Sequence, residues 1–264
     1  MPSFNYPLPK FSHQVQLNEQ GFVVLENTVE KAWVSRLVDE VERLWSLEGN
    51  AAGAEFKQES NTRRLANLVD KSSLFRDVVE FTPVLSLMQH VLGDFKLSSL
   101  NARSANPFAF SGQPLHCDGG YLPDRLGPLV ANAVWCLDDF TSRNGSLRVV
   151  PGSHLYRQLP EAALDDPAAP HPDEIIVEAS AGSLIVINAH LWHSGMDNQT
   201  EQPRRALHAY YCRRDQPQQQ FQQRMLSEQT QAKATPRLRH ILALDDSPLP
   251  AESYGSNSVS GFLD

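Results

Sequence analysis

Residues suited to binding a first-row metal stand together at His116-Cys117-Asp118. In an extended chain, residues i and i+2 point to one face, so His116 and Asp118 can grip a single ion while Cys117 faces away. Gly119-Gly120 follow directly and let the backbone bend away from such a site. A carboxylate and two histidines form the facial triad of non-haem iron(II) oxygenases, which leaves coordination positions open. The second histidine has to come from a later strand, and His190 and His193 both follow the apolar run 183–188. Arg204 lies 11 residues after His193 at the start of another apolar run. A guanidinium beside an iron site is the expected clamp for a dicarboxylate, which it holds through two parallel hydrogen bonds. The plainer readings are a strand-end Asp beside a half-buried His, and an Arg in a surface ion pair.

These residues need a scaffold, and the chain changes texture along its length. Residues 1–20 are polar and Pro-rich and read as an irregular lead-in. Residues 21–25 read as a short buried strand. Asn27 with Glu30 fits a capping box. Behind it Val34, Leu37, Val38, Val41, Leu44 and Trp45 share one helical face. Residues 49–60 read as a loop. A second helical stretch spans about 74–92, with Thr82-Pro83 as a restart and Gly93 as its stop. From there on, short apolar runs are separated by Gly, Pro, Asn and Asp clusters, which is the strand signature. Strands are expected at 96–103, 115–118, 129–137, 146–150, 174–178, 183–188 and 204–213. Many short strands behind a helical start indicate an α+β protein with a mainly β, jelly-roll or sandwich core. Residues 222–244 follow as a terminal helix. With no repeat and no linker, 1–264 reads as one domain.

Three stretches of text resemble the phytanoyl-CoA dioxygenase family. They are His116-Cys117-Asp118-Gly119-Gly120-Tyr121, Trp135 to Thr141, and Asn144-Gly145 through Pro151-Gly152-Ser153-His154. The block from Gly182 through His193 and Asn198 to Arg204 is similar too. The match is clear over about 96–214 and extends to the strand and helix at 21–45. The resemblance implies a double-stranded β-helix (cupin-like jelly roll) with N-terminal helices packed on the barrel. It implies Fe(II), the co-substrate 2-oxoglutarate and O2. Under it His116, Asp118 and His193 are the iron ligands, and Arg204 meets the distal carboxylate of 2-oxoglutarate. His190 becomes a turn residue beside the site. Relatives often carry a hydroxyl two residues after the distal His. Here that position is Gly195, and Ser194 is the nearest hydroxyl. Arg103, 13 residues before His116, falls where relatives carry a basic residue facing co-substrate or an anionic substrate. Retention of Asp118 implies oxygen chemistry rather than halogenation: hydroxylation, or desaturation or ring closure.

The remaining candidates have humbler roles. On 204–213, alternation turns Arg204, Ala206, His208, Tyr210 and Cys212 to one face, which makes His208 and Tyr210 core or pocket-lining residues. Arg205 faces the other way. Trp135 and Trp192 read as packing residues, and Cys117 as a buried inert thiol. Substrate choice falls to the loops at about 47–62, 104–114 and 155–173. Phe108, Phe110 and Tyr121, with Arg103, Arg125 and Arg157, suit a small molecule with an apolar part and an acidic group.

Composition sets outer bounds. A net charge of −8 argues against a nucleic-acid or anionic-membrane binder. The apolar runs are too short to span a bilayer, and the first ten residues lack a signal-peptide core. Cys117, Cys136 and Cys212 are isolated and odd in number, which fits a reduced, cytoplasmic chain. The sequence therefore predicts an iron- and 2-oxoglutarate-dependent hydroxylase of a small molecule. Its rivals are a jelly-roll metalloenzyme that does not use 2-oxoglutarate, and a non-catalytic binding protein of the same fold.

Overall fold

The computed structural model describes residues 6–56 and 61–249. Its strands are β1 (Phe22–Leu25), β2 (Thr62–Leu65), β3 (Phe95–Ala105), β4 (Val130–Cys136), β5 (Leu147–Val149), β6 (Ile175–Val177), β7 (Leu184–Asn188), β8 (His193–Gly195) and β9 (Arg204–Arg213). A six-stranded antiparallel sheet runs β1-β7-β4-β9-β3-β2, and a three-stranded one runs β6-β5-β8. The helices are α1 (Phe11–Gln20), α2 (Lys31–Glu48), α3 (Leu68–Lys71), α4 (Ser73–Val79), α5 (Thr82–Leu92), α6 (Pro160–Ala163), α7 (Gln222–Met225), α8 (Glu228–Lys233) and α9 (Pro236–Leu242).

Alternation along the central strands divides the interior in two. Ala131, Ala133 and Trp135 of β4, with Leu207, Ala209 and Tyr211 of β9, join the core that includes α2, α4 and α5. Trp135 anchors it, with its ring 5.4 Å from that of Trp33 and 5.0 Å from that of Phe81, both near edge-on. The opposite residues, Val134, Cys136 and Ala206, pack with Val149 and Val177 of the small sheet. One face of the large sheet is thus covered by helices. The other meets the small sheet, and the cavity lies on that side.

Several expectations need correction. A helix, α1, forms inside the stretch read as irregular; residues 1–5 of that stretch lie outside the described residues. It has no apolar stripe, and Leu17 alone of its residues is buried. Its end is fixed instead by Gly21, whose left-handed φ of 81° lets its N–H reach Leu17 O. The capping box at Asn27 and Glu30 does not form. Asn27 takes a left-handed turn (φ 49°) and its N–H donates to Ser183 Oγ at 3.1 Å, so α2 begins after Glu30 without a side-chain cap. The helical face is as read, with Val38 only partly buried. Ser72 caps α4, and the cap of α5 is Phe81 rather than Thr82. The loop read at 49–60 opens with a 3-10 turn at Gly49–Ala51, and residues 57–60 lie outside the described residues. The terminal helix is three short ones, because Ser227 and Thr235 turn their hydroxyls onto the N–H groups of Thr230 and Leu238 and restart the chain. Residues 115–118 are not a strand of their own. His116 forms an isolated bridge with His193, and Asp118 opens a 3-10 turn.

Candidate metal centre and its cavity

His116 is carried on the edge of the small sheet. Its N–H donates to His193 O and its carbonyl accepts from His193 N–H, both at 3.0 Å. Cys117 is extended (φ −100°, ψ 140°), so the chain still alternates through it. Asp118 therefore returns to the face of His116, as the i, i+2 argument requires. Its own N–H donates to Ala189 O at 2.8 Å, which ties the turn to the end of β7. Gly119 then bends the chain away with φ 78°, and a side chain there would collide with the ring of Tyr121.

One oxygen of Asp118 faces both imidazoles, with Oδ1 3.8 Å from His116 Nε2 and 3.6 Å from His193 Nε2. Ligand atoms of the three residues all lie within 4.8 Å of one another. The other ring nitrogens are committed: His116 Nδ1 donates to Pro114 O at 2.9 Å, and His193 Nδ1 to Leu191 O at 2.8 Å. A carbonyl can only accept, so Nδ1 carries the proton in both rings. In the neutral form both Nε2 lone pairs then point toward Asp118. Such backbone tethers are what orient metal-binding histidines.

Electrostatics fit this grouping. Burial pushes the Asp118 carboxyl up, but the imidazoles of His193 and His116 outweigh it and hold it at about 2. Burial and the neighbouring His193 lower His116. Burial also lowers His193, but the Asp118 carboxylate wins and its pKa rises. Asp118 Oδ2 is buried with no hydrogen-bond partner among the described residues. Two aligned imidazole nitrogens and a carboxylate with a spare oxygen are a donor set that fits a divalent first-row metal.

The cluster opens on a cavity of about 230 Å³. Arg204 lines it, 3% exposed. One guanidinium nitrogen donates to Gly145 O at 2.5 Å, and the group lies 4.4 Å over the Phe140 ring. Its Nε is buried without a hydrogen-bond partner among the described residues. Burial and then Arg103 pull its pKa down to about 9. Arg205 faces out, as alternation requires, and binds Asp138 through Nε at 2.8 Å and Nη2 at 2.6 Å. Arg103 also lines the cavity, beside the end of β8: a Cβ on Gly195 would stand 3.4 Å from Arg103 Nη1. His208 and Tyr210 line it too. Burial, followed by Arg103, Arg204 and Arg64, drives His208 down to about 3, so its imidazole is neutral.

Other expected residues stand elsewhere. His190 Nε2 accepts the Leu129 N–H and its Nδ1 donates to Tyr121 O, both at 3.0 Å, so both nitrogens are engaged away from the cluster. Cys117 points away and donates to His190 O, and burial, then Asp118, pushes its thiol up to about 12. Ser194 is a correction. As the neighbour of His193 on β8 it faces the other side, where its hydroxyl accepts from Arg148 Nε at 2.6 Å. Gly195, not Ser194, lines the cavity. Of the six residues grouped for substrate, Arg103 alone lines the cavity. Phe108 and Phe110 are 65% and 84% exposed.

The sequence reading did not single out Arg64, Asn101, Gln113 or Asn132, all of which line the cavity. Asn132 was recoverable, because it is the one polar residue in the apolar strand β4, whereas Asn101 lies among serines and Arg103 on β3 and gives no such signal. β2 offers only Thr62-Arg63-Arg64-Leu65, too short and too charged to read as a strand.

Residues 17–206 match the family described as phytanoyl-CoA dioxygenase. Dioxygenase af480 of Aspergillus fumigatus is 30% identical over 249 residues, covering 88% of this chain and 76% of that one. The iron/alpha-ketoglutarate-dependent dioxygenase ausU of Aspergillus calidoustus is 27% identical over 202 residues, covering 71% of this chain and 65% of that one. Among solved structures, HygX from Streptomyces hygroscopicus, with nickel and 2-oxoglutarate bound, superimposes with a TM-score of 0.64 at 18% identity, covering 80% of this chain and 90% of that one. That likeness carries the fold alone, and by it the two facing sheets are the jelly roll the sequence predicts. Among the described residues no helix is long and apolar enough to cross a membrane.

Proposed function

The chain belongs to the phytanoyl-CoA dioxygenase family, and from that premise we propose that it is an iron(II)- and 2-oxoglutarate-dependent oxygenase that hydroxylates a small molecule. The observation that carries the reading is the convergence of His116 Nε2, His193 Nε2 and Asp118 in the wall of a cavity also lined by Arg204. His116, His193 and Asp118 would hold the iron, and Arg204 the far carboxylate of 2-oxoglutarate. Bound together, iron and 2-oxoglutarate supply the oxidising power: one oxygen atom of O2 goes into a C–H bond, the other into succinate, and CO2 leaves.

The chain's own residues position and shield. Pro114 and Leu191 carbonyls fix the tautomers of the two histidines, so no proton has to leave Nε2 of the neutral rings. Arg204 is held in place by Gly145 O and the Phe140 ring and offers its remaining donors to a carboxylate. Val134, Phe140, Leu147 and Ile187 give the cavity apolar walls that exclude water from the reacting bond. The neutral imidazole of His208 adds no charge beside an incoming dianion.

A screen for substrate-stimulated succinate formation, with Fe(II), ascorbate and a metabolite library, tests the reading. Succinate in step with product that carries one atom from labelled O2 is the expected result. Succinate with a product two hydrogens lighter would move the assignment to desaturation or ring closure. Product without succinate would favour a metalloenzyme that does not use 2-oxoglutarate, a reading that leaves Arg204 without a role.

A further inference from the structure

Further along β9 from Arg204, the same face carries His208 and Tyr210. Directly opposite residues of antiparallel strands share a face. Tyr210 has Ser99 of β3 on one side and Asn132 of β4 on the other, and His208 has Asn101 and Val134 in the same way. All six line the cavity. They make a floor across three adjacent strands and two rows of side chains, about 10 Å by 7 Å from the ordinary spacings of a sheet. The residues between them, Leu100, Ala133 and Ala209, face the helical layer and are apolar. Polarity in this part of the sheet is thus confined to the cavity side.

Ser99 is engaged within the protein, where its hydroxyl donates to Gln219 Oε1 at 2.7 Å. Asn101 and Asn132 differ. They are 4% and 8% exposed, and their Oδ1 atoms are buried with no hydrogen-bond partner among the described residues. His208 Nε2, between them, is in the same state. Orphaned buried polar atoms are rare, and each is costly to leave unmet. A carboxamide oxygen can only accept, so a molecule that meets Asn101 and Asn132 there has to bring N–H or O–H groups. 2-Oxoglutarate brings none at neutral pH, because its two carboxylates and its ketone are acceptors only. An ammonium group would donate, but the Arg103 and Arg204 guanidiniums line the same cavity and oppose a cation. A hydroxyl group is uncharged, and it both donates to a carboxamide oxygen and accepts from an amide N–H.

We propose that Asn101 and Asn132 determine specificity: they select a substrate with two or more hydroxyl groups, as in a polyol, cyclitol or sugar, whose O–H groups donate to the two carboxamide oxygens. This rests on the oxygenase reading for the identity of the site and adds the substrate class to it. Wholly apolar molecules are disfavoured, because they would cover both carboxamides and leave them unmet.

The test uses the full chain with Ni(II) and 2-oxoglutarate, and reads binding by calorimetry rather than by turnover. The probes are a panel of polyols, cyclitols, pyranosides and nucleosides, each paired with deoxyfluoro analogues, in which fluorine keeps the size of a hydroxyl but cannot donate. At least one free polyol should bind, and its deoxyfluoro partners should bind about tenfold or more weakly. Asn101→Leu and Asn132→Leu should each weaken that polyol about tenfold or more. 2-Oxoglutarate affinity should stay within about twofold in both. The melting temperature of the ligand-free chain should hold or rise, because an unmet polar group gives way to an apolar one of similar size. Asn101→Ala and Asn132→Ala, which cannot overpack, repeat the binding test where a leucine does not fit. No binding anywhere in the panel, equal binding of the deoxyfluoro partners, polyol binding unmoved by the variants, or loss of 2-oxoglutarate affinity in place of polyol affinity would overturn the proposal. The oxygenase reading fails separately, if the wild-type chain with metal does not bind 2-oxoglutarate.

Discussion

His116 and His193 hold each other by the backbone, each donating its N–H to the other's carbonyl at 3.0 Å, and their rings stand 4.5 Å apart. Residues 77 positions apart are thereby fixed as neighbours without help from either imidazole. The side chains, tethered through Nδ1 to the Pro114 and Leu191 carbonyls, turn their Nε2 atoms toward Asp118 Oδ1. The geometry of the cluster is thus built into the main chain.

Removal of either histidine should cost metal but not fold. Changes to residues that merely support ligands cost about 10–100-fold in metal affinity, so loss of a ligand should cost more. His116→Ala or His193→Ala should therefore lower Ni(II) or Co(II) affinity by more than about a hundredfold. His190→Ala should leave metal affinity intact and instead destabilise the chain, because Leu129 N–H and Tyr121 O lose their partner. Calorimetric metal titration, alongside thermal unfolding, separates the two effects.

Adjacent arginines should behave oppositely. Arg204→Lys keeps a charge but loses the planar fork, so 2-oxoglutarate affinity should fall at least about tenfold with metal affinity unchanged. Arg205→Ala should leave 2-oxoglutarate binding alone and cost roughly 1–3 kcal/mol of stability, through the lost bonds to Asp138. Titration calorimetry and urea unfolding measure both. The reverse pattern would mean that β9 presents the other face to the cavity.

Ser194 separates a structural hydroxyl from a co-substrate one. Ser194→Ala strips the partner from Arg148 Nε, a buried arginine that also binds Glu174 and the 167–169 carbonyls. The expected cost is roughly 1–3 kcal/mol in urea unfolding. 2-Oxoglutarate affinity should not change.

Acid should weaken the clamp between α2 and the sheet. Hydrogen bonds from Arg63 outweigh partial burial and hold the Glu42 carboxyl below its ordinary 4.5, with help from Arg205. A depressed folded-state pKa means stability present above pH 4.5 and lost as pH falls through the depressed value. Glu42 is 37% exposed, so solvent screens the pair and the effect should be only about 0.5 kcal/mol. Glu42→Gln should show that difference near pH 7 and show less of it as pH falls below 4.5, by urea unfolding at each pH.

How much of this was legible depended on periodicity. The bounds of β9 read correctly because a nearly continuous apolar run follows Arg204-Arg205; family resemblance turned Arg204 inward, and alternation then put Arg205 on the other face. His116 and Asp118 were legible as a pair, though their local structure is a bridge and a turn rather than a strand. The choice of His193 over His190 came from family resemblance, since spacing alone left both open. β2 and β8, four and three residues long, carry too few positions for any pattern, and so Arg64 and the outward turn of Ser194 stayed hidden. α1 was missed because caps and one leucine hold it, not an apolar face.

Metal-dependent binding of 2-oxoglutarate tests the central claim most directly. Calorimetric titration of 2-oxoglutarate into the chain, with and without Ni(II), should show one site per chain that requires the metal. That site should vanish in Asp118→Ala even when metal is supplied in excess. Binding of equal strength in the metal-free chain, or in Asp118→Ala, would contradict a site built on His116, Asp118 and His193.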